Sequence, residues 1–198
     1  FGDAESAIGR TRTSNSADKA ARIALASCSS YEAGHFAAYD DLASWAPDCV
    51  VHIGDYIYEG GITPLGPRTV KAGDKEVTVE NVRQNNSSEI ISLWQYRNRY
   101  ALYRLDRSLQ AAHAASPWVV AMDDHEIDNN WASDIPEDPW AQTPLEFKVR
   151  KLAALQAYYE HMPIEEPPAL NGVDAHLQMY GQYRFGPAQL FVLDTRQY

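Results

Sequence analysis

Three short apolar runs interrupt a largely polar chain, and each one ends in side chains that bind metals. They read Arg22-Ile-Ala-Leu-Ala-Ser-Cys28, Cys49-Val-Val-His-Ile-Gly-Asp55-Tyr-Ile-Tyr58-Glu59 and Trp118-Val-Val-Ala-Met-Asp123-Asp124-His125-Glu126. Runs of this length predict strands. Between the first two, Phe36, Tyr39, Leu42 and Ala43 recur at helical spacing, and Pro47 stops the helix. That order is a βαβ unit with a right-handed crossover. In an open parallel sheet, ligands bind beyond the carboxyl ends of the strands, so the three endings predict one site.

The rest of the pattern fills in around these strands. Leu93, Tyr96, Tyr100 and Tyr103 predict a helix from near Ser92, broken near Asp106 and resumed from Leu109 to Ala115. Thr143 to His161 is also helical, with Leu145, Val149, Leu152, Leu155 and Tyr159 expected on the buried face, and it stops at Pro163. Tyr180–Phe185 and Gln189–Asp194 flank Gly186-Pro187 as a hairpin. Gly60 to Ser88 is rich in Gly, Pro, Asn and Lys, with a small hairpin from Val70 to Val79 around Ala72-Gly-Asp-Lys75. It is either a substrate-facing loop or a tolerated surface insertion. Residues 1–20 lack periodicity and read as a flexible arm or the end of a preceding segment. Residues 21–198 form the folded part, of α/β class: a mixed, largely parallel sheet flanked by helices.

Composition narrows the function. A chain of 198 residues that is 45% hydrophobic can bury a core as one domain. Its net charge of −10 disfavours nucleic acid or an anionic membrane as the main partner and suits cation binding. No apolar stretch approaches the roughly 20 residues that span a bilayer. Cys28 and Cys49 sit at opposite ends of their strands, too far apart for a disulfide. Cys49 reads as a small buried hydrophobe.

The strand ends carry the chemistry. Gly54 lets the backbone turn close to a ligand, and Asp55 can bridge two cations. Tyr58, three residues on, can share a metal with Asp55, and a phenolate ligand calls for a strong Lewis acid such as ferric iron. Cys28 as a thiolate suits iron or zinc. Asp124 can hold a hard cation, calcium or magnesium, and His125 can face a substrate as acid or hydrogen-bond donor. Asp123 and Glu126 can orient their neighbours. Asn130 is a candidate amide ligand or turn residue, and Arg196 a candidate phosphate contact. Helix arginines Arg97, Arg99 and Arg104 read as salt-bridging. His52 reads as a satisfied core residue, and His113, His161 and His176 show no metal-pair spacing.

These segments, with Tyr96-Arg-Asn-Arg-Tyr-Ala-Leu-Tyr-Arg104, Asp123-Asp-His-Glu-Ile-Asp-Asn-Asn130, Tyr158-Tyr-Glu-His-Met-Pro163 and Leu193-Asp-Thr-Arg-Gln-Tyr198, resemble the PhoD-like alkaline phosphatases and phosphodiesterases of the calcineurin-like metallophosphoesterases. The resemblance runs from about residue 22 to the end and implies half of a four-layer α/β sandwich. It implies hydrolysis of phosphate mono- or diesters by a bridging-hydroxide mechanism. Cys28, Asp55 and Tyr58 would hold Fe3+, Asp55 and Asp124 would hold Ca2+, and His125 would face the phosphate; Zn2+, Mn2+ and Mg2+ are alternative metals. It also implies an exported, periplasmic or secreted home. The family pattern continues past Tyr198 to a Gly-Asp-x-His motif, so the remaining ligands are expected from a C-terminal half of the same gene product or a second chain. Phospholipase-D-like cleavage and a non-catalytic cation- or phosphate-binding fragment are the competing readings.

Overall fold

The computed structural model describes residues 8–11 and 20–198. Most of the expected N-terminal arm lies outside them; within it, the Arg10 amide donates to the Ala114 carbonyl at 2.8 Å. Three strands, β1 (Ile23–Ala26), β2 (Cys49–His52) and β5 (Trp118–Val120), form a wholly parallel sheet in the order β1-β2-β5. The antiparallel strands stay apart from it as three hairpins: β3 (Gly66–Ala72) with β4 (Lys75–Asn81), β6 (Ala169–Asn171) with β7 (Asp174–His176), and β8 (Gly181–Phe185) with β9 (Ala188–Val192). The closing hairpin expected around Gly186-Pro187 therefore forms, but as its own two-stranded sheet.

Local chemistry sets the helix ends. α1 (Ala37–Trp45) follows β1 and α2 (Leu93–Arg104) follows the excursion. The chain breaks where Asp106 accepts from the Leu109 amide at 3.1 Å and starts α3 (Arg107–Ala115). α4 (Pro144–His161) opens with a reciprocal Thr143–Glu146 capping box and Pro144 in its first turn. Both cysteines are free: Cys49 pairs in register with Ile23 at one sheet edge, while Cys28 lies beyond the other.

Register divides the sheet into two unequal faces. Ala24, Val50 and Trp118 align on one side, as do Ala26, His52 and Val120, and these join the main core. His52 and His113 both stack on Trp118, at 5.9 and 3.9 Å between centroids. Tyr56 Oη lies 2.9 Å from His113 Nε2. The opposite row is Leu25, Val51 and Val119, and Leu25 is 70% exposed. Beside it, Val51, Ile53, Met122, Phe191 and Leu193 line a groove of about 310 Å³. No helix among the described residues is long and apolar enough to cross a membrane.

The face of α4 differs from the expectation. Phe147, Ala154, Leu155, Ala157 and Tyr158 are buried, whereas Leu145 is 60% and Val149 49% exposed. Arg150 and Lys151 lie in the buried stripe, which is why periodicity misassigned it. Arg150 ion-pairs with Asp128 at 3.0 Å and Glu89 at 2.8 Å, and Lys151 donates to the Ser133 carbonyl at 2.9 Å. Paired charges can be buried where lone ones cannot.

Two outcomes follow from this packing. Phe147→Ala should destabilise the chain by about 3–5 kcal/mol and Leu145→Ala by less than about 0.5 kcal/mol in urea unfolding; the reverse order would restore the periodic assignment. Burial holds His52 down to about 4, and burial with the nearby Arg104 charge holds His113 down to about 3. Both rings are neutral when folded and titrate near 6.5 when unfolded. Their stabilisation is complete above about pH 6.5 and is lost as pH falls toward 4, on the order of 1.4 kcal/mol per pH unit for each. Urea midpoints across that range check the slope, which His113→Gln should make shallower.

Candidate metal centre

The parallel register sets Ala26, His52 and Val120 side by side, so the chain leaves all three strands at one edge. The loops that follow are laced together by their backbones. Cys28 N–H donates to the Gly54 carbonyl at 3.2 Å and Ser29 N–H to the Asp55 carbonyl at 2.9 Å. The fully buried Glu126 carboxylate then joins the second loop to the third. It accepts from the amides of Asp55 at 3.0 Å, Tyr56 at 2.5 Å and Asp123 at 2.8 Å. Gly54, at φ +108°, has Asp123 against it; a Cβ there would stand 2.4 Å from the Asp123 Cβ. Cys28 and Asp55 adopt φ of 56° and 54°. For residues with a Cβ, this left-handed conformation costs roughly 1–2 kcal/mol.

The geometry gathers a donor set. Ligand oxygens of Asp55, Asp123 and Asp124 lie within 4.8 Å of one another. Tyr58 donates its hydroxyl to Asp55 Oδ2 at 3.3 Å, and the Cys28 thiol lies near enough to both to interact with them, although its sulfur is not part of the acidic triad. Burial, with Asp124 and Asp123 adding to it and His125 opposing, pushes the Asp55 carboxyl up. Burial and the Asp55 charge push the Cys28 thiol up, against a hydrogen bond from Ser27. Burial, Asp55 and Cys28 push the Tyr58 phenol far above its ordinary range. Thiol and phenol thus hold their protons unless a strong Lewis acid displaces them. A thiol and a phenol on one carboxylate, beside two more carboxylates, fit an iron-type cation next to a hard, oxygen-binding one.

The remaining predicted residues surround this set. Asn130, at φ 54° and exposed, offers its backbone amide to Asp124 Oδ2 at 2.7 Å. Arg196 donates from Nε to Asp123 Oδ1 at 2.6 Å and from Nη2 to Asp124 Oδ1 at 2.9 Å. Burial would raise the Asp124 carboxyl, but the Asn130 amide, His125 and Arg196 outweigh it and hold it low. His125 places Nδ1 2.7 Å from Glu59 Oε2, with its ring 4.2 Å from that of Tyr58. Burial pulls this imidazole down, but Glu59, then Asp55 and Asp124, outweigh it and raise it to about 9.

Two residues took other places than the sequence suggested. Asp123, expected to orient its neighbours, has an oxygen in the acidic triad itself. Glu59 had no assigned role, though its place beside Tyr58 at the end of an apolar run was a usable signal. Of the helix arginines expected to form salt bridges, only Arg97 does so among the described residues; Arg99 and Arg104 bond backbone carbonyls instead, Arg99 at the Tyr58 backbone beside the site. Arg97 pairs with Glu160, Arg104 donates to the His161 carbonyl, and buried Arg99 donates to the carbonyls of Tyr58 and Gly60. Part of the Gly60–Ser88 excursion does face the site: Gly60, Thr63, Arg68 and Asn85 share a pocket of about 330 Å³ with Tyr58 and His125.

Because Glu126 satisfies three buried amides at once, Glu126→Ala should cost on the order of 3 kcal/mol or more, since each orphaned amide costs about 1–3 kcal/mol. Urea unfolding checks this; a loss below about 1 kcal/mol would mean that the two loops hold their positions without it.

Known proteins resemble the chain in sequence and in fold. The family model for PhoD-like phosphatase matches residues 23–198. The chain is 48% identical over 177 residues to alkaline phosphatase D of Bacillus subtilis (strain 168), covering 89% of this chain and 28% of that protein. A solved structure of PhoD superposes with a TM-score of 0.77 at 45% identity, covering 93% of this chain and 33% of the other. The chain therefore spans about a third or less of these relatives. With the family model covering nearly all of its described length, the chain belongs to the PhoD-like phosphatase family.

Proposed function

We propose that this chain supplies one half of a site that hydrolyses phosphate esters with the help of ferric iron and calcium. The observation that carries the reading is the convergence of Cys28, Asp55, Tyr58 and Asp124 from three separate strand ends. Cys28, Asp55 and Tyr58 would hold the iron, and Asp55, Asp124 and Asp123 the calcium. When bound, the cations supply Lewis acidity to the phosphate oxygens and to water. The protein's own groups bind, balance and protonate. Arg196 offsets the charge of Asp123 and Asp124, and Asn130 fixes Asp124 through its amide. His125, with Nδ1 turned to Glu59, leaves Nε2 to protonate the departing oxygen.

The donor set needs further ligands, because calcium alone takes 6–8 oxygens. We assign them to a further part of a longer polypeptide. The uncovered sheet face at Leu25 and the apolar groove beside it support this, as does the share of its relatives that the chain spans. On the family resemblance we place the protein outside the cytoplasm.

In the complete polypeptide, Asp55→Asn should lower activity on p-nitrophenyl phosphate and its bis ester by more than the roughly 10–100-fold carried by outer-shell partners. Elemental analysis should find iron and calcium, and Tyr58→Phe should remove a visible charge-transfer band. A colourless protein with zinc would replace the iron assignment, and near-normal turnover of Asp55→Asn would remove the two-cation mechanism.

A further inference from the structure

Glu59 is one residue past the Tyr58 ligand position, and its side chain is 6% exposed. Its two oxygens make different contacts. Oε1 accepts the Asn129 amide at 2.8 Å, and Oε2 lies 2.7 Å from His125 Nδ1. The first contact anchors Glu59 to the loop that carries the Asp124–Asn130 turn. The second fixes one corner of the imidazole, while the Tyr58 ring, 4.2 Å away and tilted by 31°, limits rotation about the other axis. A carboxylate and an aromatic face together leave the His125 ring one orientation. No partner for Nε2 occurs among the described residues, and the ring borders the pocket that Tyr58 shares with Arg68 and Asn85.

We propose that Glu59 is a positioning residue that aims His125 Nε2 at the leaving oxygen of the ester. The inference rests on the role given to His125 above. In the step it serves, water adds to phosphorus and the phosphorus–oxygen ester bond breaks. The Nε2 proton passes to the departing oxygen while Nδ1 keeps its proton toward Glu59. The proton released by the attacking water returns to Nε2 and restores the imidazolium, so the products are the alcohol and phosphate. An aimed proton matters most where the leaving alkoxide is strongly basic and least for p-nitrophenolate, which departs without one.

The test compares an alkyl phosphate with p-nitrophenyl phosphate in the metal-loaded protein. Glu59→Gln keeps an oxygen for the Asn129 amide but cannot accept from Nδ1. Its kcat on the alkyl ester should fall roughly 10- to 100-fold, with KM, metal content and p-nitrophenyl turnover nearly unchanged. A crystal structure of this variant should show the His125 ring turned away from Tyr58. Adding Glu59→Gln to His125→Ala should cause no further loss. Glu59→Asp, which keeps a carboxylate, should recover part of the rate and serves if the glutamine variant does not fold. Equal losses on both esters, or a fall in bound metal, would make Glu59 a structural residue and overturn the inference. A slow His125→Ala beside a normal Glu59→Gln would overturn it while sparing the role of His125. A His125→Ala variant with normal alkyl-ester turnover would remove that role itself.

Discussion

Glu126 has no access to water, yet its carboxylate takes three backbone amides from the two loops that carry Asp55, Asp123 and Asp124. Those aspartates repel one another, and loops free to move would separate them. Hydrogen bonds to a charged acceptor are worth about 1.5–3 kcal/mol each, enough to hold Asp55 at φ 54° and to keep Gly54 pressed against Asp123. Burial, reinforced by the Asp55 charge and opposed by the Tyr56, Asp123 and Asp55 amides, leaves the Glu126 carboxyl raised to about 8. Three amide donors surround this group, so each of these bonds strengthens as it ionises.

The same region concentrates negative charge. Among the described residues, Asp55, Glu59, Asp123, Asp124 and Glu126 face Arg196 and His125, with buried Arg99 close to Glu59. Each carboxylate still has at least one hydrogen-bond donor, and that makes the cluster tolerable in the folded chain. The imbalance left over is what a cation would neutralise. It also explains why Cys28 and Tyr58 keep their protons beside Asp55: neither can ionise next to a carboxylate without a stronger positive partner.

Much of this was legible from local signals. Apolar runs located β1, β2 and β5. Asp106 and Thr143 marked helix starts through side chains that cap their own third residue. That Cys28, Asp55, Tyr58 and Asp124 meet at one edge was readable because each follows a run, and the fold puts run ends together. What failed depended on distant partners. The buried stripe of α4 holds Arg150 and Lys151, whose neutralising groups lie on other elements, so hydropathy pointed to Leu145 and Val149 instead. The place of Asp123 in the triad and the contact of Glu59 with His125 escaped it for a related reason. In a run of carboxylates, which one binds, which orients and which holds the backbone is decided by register between loops, not by spacing.

The unequal faces of the sheet connect stability to chemistry. One row, Ala24–Val50–Trp118, sits in an aromatic core, while the next row leaves Leu25 exposed beside a groove lined by Ile53, Phe191 and Leu193. Covering such side chains gains about 25 cal/mol per Å². The groove extends to Ile53 and Met122, which lead into Asp55 and Asp123, so a layer packed on it would reach the same edge. On the proposed reading, one added α/β layer would both bury Leu25 and bring oxygens to the unsaturated acidic triad. Folding of that layer and full cation binding would then be a single coupled event, with the Glu126-held loops as the part already in place.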